Sequence, residues 1–160
     1  MTAIPVVELG IGDEAPYFDL PCDGGGRVCL ADFAGKPLVL FFYPKDDTTA
    51  CTAESVSFTA LAADFEKAGA AVLGMSPDSV RSHDKFVKKH ALSVPLASDE
   101  EKTAAQAYRV WREKSMYGRT FMGVVRSTFL IGADGRIVRI WDKVKVAGHA
   151  QEVLAAVKEL

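Results

Sequence analysis

The residues best suited to chemistry lie in one stretch, Phe41-Phe42-Tyr43-Pro44-Lys45-Asp46-Asp47-Thr48-Thr49-Ala50-Cys51-Thr52-Ala53-Glu54. An apolar run delivers the chain to a polar turn, and the turn opens a segment of helical spacing whose first residues include a thiol. Unpaired backbone N–H groups and the positive end of the helix dipole favour a thiolate at such a position, which is where cysteines become nucleophiles. Ionisation alone supplies little rate, because an ordinary thiol is already a few per cent thiolate near pH 7 and full ionisation gains only about thirtyfold. The remainder must come from donors set in place before the charge develops. Thr48, three residues before Cys51, is close enough to turn its hydroxyl toward the sulfur, and Pro44 can fix the turn and shield the thiol. The same residues also fit a plainer description, in which Thr48 or Thr49 caps a helix and Cys51 is a small buried side chain.

Other chemical signals are weaker. No Cys-x-x-Cys occurs, which disfavours a disulfide exchanger. His83, His90 and His149 are scattered without metal-ligand spacing and read as surface residues. Gly74-Met75-Ser76-Pro77-Asp78 lacks the closing glycine of a hydrolase nucleophile elbow. Gly24-Gly25-Gly26 lacks the Lys-Ser/Thr of a phosphate loop and reads as a turn. Trp111, Trp141 and the phenylalanines read as core.

The chain must also supply elements to hold Cys51 in place. With 160 residues, 49% hydrophobic and 25% charged, residues 1–160 suit one domain. At this size roughly 70% of the extended surface leaves water on folding, so the core needs no disulfide or metal staple. The 19 basic and 21 acidic residues nearly balance, and Lys88-Lys89 and Arg112 to Lys114 are short solvated clusters, so nucleic acid is not an expected partner. The N-terminus has no basic region and meets Glu8 and Asp13 before any long apolar stretch. No run reaches the ~20 apolar residues of a membrane span. A cytoplasmic protein is expected, in a compartment that keeps ordinary thiols reduced.

The pattern predicts a small hairpin from Tyr17–Leu20 and Arg27–Leu30 around the glycine turn, then a strand buried on both faces over Pro37–Tyr43. Helical spacing follows over Cys51–Lys67, a strand over Ala70–Met75, and a helix capped by Asp78 and running to about His90. A short strand at Val94–Ala97 and a short helix at Lys102–Tyr108 come next. Val124–Ile131 and Arg136–Trp141 flank Gly132-Ala133-Asp134-Gly135 as a second hairpin, and Ala147–Leu160 closes the chain as an amphipathic helix. Crossover helices after buried strands imply parallel pairing and the late hairpin adds antiparallel strands. The expected fold is therefore a thioredoxin-like three-layer α/β fold, with a mixed central sheet, helices on both faces and an N-terminal hairpin.

Pro44, Thr48 and Cys51 reproduce the Pro-x-x-x-Thr-x-x-Cys signature of peroxiredoxins, and Phe-Tyr-Pro-Lys-Asp-Asp-Thr resembles their bacterioferritin-comigratory, or Q-type, branch. The resemblance extends to Gly12-Asp13-Glu14-Ala15-Pro16, to Leu73 through Ser79, and to Lys114 through Gly118 leading into Gly123 through Ile131. It implies a thiol peroxidase that reduces hydrogen peroxide and organic hydroperoxides through a sulfenic acid on Cys51. Thr48 would orient peroxide, Pro44 shield the sulfur and Arg126 act as the active-site arginine. Glu54 also matches the family pattern, although a carboxylate in a first helical turn is often simply favourable with the dipole. No cofactor is implied. The expected partners are a hydroperoxide and thioredoxin, glutaredoxin or a small-thiol reductant, with the protein a monomer or weak dimer. The rival reading is a non-enzymatic thioredoxin-like redox sensor or chaperone-like module.

One departure from the family matters. Many Q-type relatives carry a resolving cysteine five residues after the peroxidatic one, where this chain has Val56, and others place it in the following helix, where Arg81–His90 has none. A one-cysteine cycle with an external thiol is therefore favoured. Cys22 and Cys29 stay open as unusual resolving residues, or as hairpin residues able to pair with each other. A disulfide needs Cα atoms within about 7 Å, and the sequence gives the first hairpin no reason to approach Cys51.

Overall fold

A computed structural model describes residues 9–160. The Met1–Glu8 segment, most of the N-terminus whose composition argued against a leader, lies outside them. The central sheet is built on β3 (Leu38–Phe42), in which every residue is buried. Alternation decides which way each side chain faces. Leu38, Leu40 and Phe42 enter one apolar cluster, and Val39 and Phe41 enter the other, on the opposite face. β3 pairs in parallel with β4 (Ala71–Ser76), which pairs in parallel with β5 (Leu96–Ser98). On its other side β3 pairs antiparallel with β8 (Ser127–Ile131), and β8 with β9 (Ile137–Trp141). The order β5-β4-β3-β8-β9 is the expected mixed sheet.

The cluster containing Val39 and Phe41 is covered by α1 (Thr49–Ala60), α2 (Ala62–Lys67), α3 (Val80–His90) and α5 (His149–Lys158), through Phe58, Phe65, Phe86 and Val153. The other face carries α4 (Thr103–Ala107) and the hairpin β1 (Asp19–Pro21)/β2 (Arg27–Cys29), with Tyr108 and Val28 in its cluster. None of the helices among the described residues is long and apolar enough to cross a membrane.

Five expectations need correction. The helix predicted over Cys51–Lys67 is two, because Leu61 leaves helical geometry at φ −101° and ψ 6°. α3 is capped by Ser79, whose Oγ accepts from Ser82 N at 3.1 Å, while Asp78 turns inward to Ser76 and the Asp46 amide. The segment expected as one strand from Val124 is divided. Val124 ends a separate ribbon of β6 (Trp111–Met116) and β7 (Arg119–Val124) that the sequence reading did not foresee, and Arg126 lies between β7 and β8. Finally, His83 and His149 are buried and not on the surface, and Trp111 and Trp141 are only half-buried.

Candidate active site

β3 ends under Tyr43, and the chain crosses the carboxyl end of the sheet through residues 44–48 into α1. Thr48 is the N-cap of α1 in extended geometry, and its carbonyl accepts from Thr52 N at 2.8 Å. Its side chain does not cap the helix. Thr48 Oγ1 donates instead to the Lys45 carbonyl at 2.9 Å, so the hydroxyl keeps its lone pairs free to accept. Pro44 is half-buried at the start of the same loop.

Cys51 sits in the first turn of α1 and is fully buried. Arg126 reaches it from across the sheet. Its Nη2 donates to Cys51 Sγ at 3.3 Å, and its Nη1 donates to Glu54 Oε1 at 2.7 Å. Strand parity aims Arg126 at this layer, since Thr128 and Leu130, two and four residues on, also face α1 and α5. The arginine backbone is anchored by Val144 N, which donates to its carbonyl at 3.0 Å. The neighbouring Ser127 Oγ and the bidentate Arg112 both hold Asp142.

The electrostatics of the trio follow from burial. Burial works against the charge of Arg126, and the adjacent Glu54 and Cys51 more than offset it, so its pKa rises. Burial pushes the Glu54 carboxyl up to about 7 against the pull of Arg126. Glu54 Oε2 has no hydrogen-bond partner among the described residues. Behind them His149 Nε2 lies 2.8 Å from Thr128 Oγ1, and burial, with help from Arg126, lowers its pKa to about 4, so the ring is neutral at physiological pH. Cys51, Glu54 and Arg126 thus offer a sulfur nucleophile beside a cation with several donors. That arrangement can stabilise a sulfur anion and an oxygen leaving group in turn.

The structure brings Cys51 and Arg126 into contact, holds Thr48 one helical turn away with its hydroxyl engaged to Lys45, and leaves Pro44 half-buried at the start of the loop. Sequence reasoning left Glu54 as a dipole residue. Nothing local could pair it with Arg126, which is 72 positions distant. It also missed the polar cluster under the loop, formed by Tyr43, Asp46, Asp78 and His83. His83 was legible in principle, since it precedes Phe86 by three residues and so lies on the buried stripe of α3. Asp46, Asp78 and His83 are near enough to share a metal, but their donor atoms are already taken up by hydrogen bonds from Tyr43, Ser76 and Ser82 and with one another.

The other two cysteines lie elsewhere. Both are free, and Cys29 pairs with Asp19 in the β1/β2 register, three positions from Cys22. Three residues of strand span roughly 10 Å, beyond the reach of a disulfide, and odd separation puts the two on opposite faces of the ribbon. The expectation that Cys22 and Cys29 could pair is therefore not met. Cys22 bridges to Ala97 at the β5 edge and packs in the cluster on the face opposite Cys51.

A model of the AhpC/TSA family matches residues 11–140 of the chain. The chain is 50% identical to peroxiredoxin Bcp of Xanthomonas campestris over 146 residues, 90% of this chain and 91% of that protein. It is 43% identical to peroxiredoxin Bcp of Bacillus subtilis, over 95% of this chain and 97% of that one. Among solved structures it superposes on the Xylella fastidiosa PrxQ with a TM-score of 0.91 at 42% identity, covering 96% and 98% of the two chains. It also matches the bacterioferritin comigratory protein of Xanthomonas campestris, studied as a trapped intermediate for its alkyl peroxide reduction activity. That match has a TM-score of 0.85 at 48% identity over 89% and 90%.

Proposed function

This chain belongs to the AhpC/TSA family as a thiol peroxidase of the Bcp/Q peroxiredoxin kind, and from that premise we propose that Cys51 is its peroxidatic residue, working in a one-cysteine cycle. The contact between Arg126 and Cys51 Sγ carries the assignment. The Cys51 thiolate attacks the terminal oxygen of a hydroperoxide. The S–O bond forms as the O–O bond breaks, and the departing alkoxide or hydroxide leaves with the bonding pair and takes up a proton. Cys51 is left as a sulfenic acid. Arg126 donates to the sulfur and then to the oxygens as charge moves onto them. Thr48 Oγ1, with its own proton committed to Lys45, accepts from the peroxide O–H and so orients it. Pro44 covers the approach, and Glu54 holds the guanidinium in register.

The relative's alkyl peroxide activity supports organic hydroperoxides as substrates here, and the same attack on an O–O bond serves hydrogen peroxide. Regeneration falls to an external thiol. It attacks the sulfenic sulfur to give a mixed disulfide and water, and a second thiol then frees Cys51 as a disulfide of the reductant. The central sheet between Cys51 and the layer holding Cys22 favours this route over an internal one. Cys51→Ser is expected to abolish peroxide consumption. The Cys22→Ser, Cys29→Ser double variant should keep most of it with dithiothreitol as reductant, and loss of turnover in that variant would overturn the one-cysteine cycle.

A further inference from the structure

Beneath the loop that carries Pro44 and Thr48 is a buried polar network that the cycle above does not use. Asp46 stands at its centre. Asp46 N donates to Asp78 Oδ2 at 2.8 Å, and Asp46 Oδ1 accepts from Tyr43 OH at 2.6 Å. Asp46 Oδ2 accepts from Ser82 Oγ at 2.8 Å and faces His83 Nδ1 at 2.7 Å. The His83 ring is fully buried, and its Nε2 lies 2.9 Å from the Ala97 carbonyl of β5. A carbonyl only accepts, so Nε2 carries hydrogen. Asp46 Oδ2, which already accepts from Ser82 Oγ, lies at hydrogen-bond distance from Nδ1, so the hydrogen between them is placed on Nδ1. A neutral ring in either tautomer would leave one nitrogen lone pair facing an oxygen.

We propose that His83 is a positioning residue for the Cys51 reaction: as a buried imidazolium between the Asp46 carboxylate and the Ala97 carbonyl, it latches the 44–48 loop to α3 and β5. Burial by itself works against the charge, and Asp46, the Ala97 carbonyl and Asp78 outweigh it and hold the His83 pKa above its ordinary value. Asp46 is two residues from Thr48 and five from Cys51, and the next residue, Asp47, is in the left-handed region at φ 60°. A loop in that conformation holds only where its surroundings determine it. Latching it in advance keeps the Lys45 carbonyl, and with it Thr48 Oγ1, in place before peroxide arrives.

The inference rests on Cys51 as the peroxidatic residue, and the experiment separates the two. Nitrogen-15 NMR of the full chain reads the His83 ring directly. Both nitrogens should be protonated at pH 7, and a neutral ring there overturns the latch whatever the peroxidase activity. In stopped-flow oxidation, His83→Gln and Asp46→Asn should each slow the reaction with hydrogen peroxide by about 10- to 100-fold, since small misplacements cost this much. The double variant should be no slower than the slower single. Alkylation of the buried Cys51 by iodoacetamide should not rise in these variants. A rise would mark general loosening and defeat the positioning role, as would peroxide rates within about twofold of the parent. If neither variant folds, Ser82→Ala, which removes one hydrogen bond to the same carboxylate, should slow peroxide oxidation by about threefold, and an unchanged rate overturns the proposal. A parent protein that does not consume peroxide would instead indict the reading of Cys51.

Discussion

Arg126 divides its guanidinium between a sulfur and a carboxylate, and both bonds depend on its fork of donors. A lysine cannot serve the two partners in one geometry. Arg126→Lys should therefore lower the second-order rate of Cys51 oxidation by about 10²- to 10³-fold, the scale of losing a preset donor, as stopped-flow fluorescence would report. Glu54, with its carboxyl pushed up to about 7 by burial, changes charge within the working range. Below that pH it is neutral and the full charge of Arg126 turns to the sulfur and the peroxide. Above it the carboxylate shares that charge. Glu54→Gln should remove an inflection near pH 7 from the pH profile of peroxide oxidation, and retention of the inflection would assign it to another group. At this scale Pro44, Thr48 and Cys51 were legible as candidates because they share one local motif, and Arg126 only through the resemblance carried by its segment. The roles of Glu54 and His83 were not, because their partners come from distant strands and loops.

Among the elements, the seating of α1 on the sheet depends on a close approach of strands. Gly74 on β4 faces Phe41 of β3, and a Cβ there would lie 2.7 Å from the Phe41 ring and 2.8 Å from Leu96. Phe41 in turn stacks on Phe58 of α1 with centroids 4.6 Å apart. Gly74→Ala should therefore cost about 1–3 kcal/mol of stability, measured as a lower urea midpoint, and should slow peroxide oxidation through the displaced helix. The buried strands, the crossover helices and the last hairpin were readable from apolar runs bounded by glycine and proline. The β6/β7 ribbon was not. Arg112, Glu113 and Lys114 interrupt any apolar face, and Tyr117 at its tip is 98% exposed, so no burial pattern announces it. The break at Leu61 was equally hidden, since the apolar spacing continues across it.

Across the whole molecule, two buried groups near the site give opposite pH dependences of stability. His149 titrates near 4 in the fold and near 6.5 in the open chain, so the unfolded state takes up protons first and stability falls as pH drops from 6.5 toward 4. Glu54 titrates near 7 in the fold against 4.5 in the open chain, so its contribution falls as pH rises from 4.5 to 7. The two slopes oppose each other between pH 4.5 and 6.5. His149→Gln should unmask the Glu54 slope, a loss on the order of 3 kcal/mol as pH rises through that window, measurable by urea unfolding at several pH values. The molecule's plan also bears on the three cysteines, because the central sheet separates Cys51 from the layer that contains Cys22. The sequence showed the count and the missing resolving positions, but only the fold shows that Cys51 and Cys22 pack on opposite faces of the sheet. The most direct measurement is intact mass after stopped-flow oxidation with limiting hydrogen peroxide. The one-cysteine account predicts a single added oxygen on Cys51 that persists until thiol is added, whereas loss of two hydrogens, the mark of an internal disulfide, would contradict it.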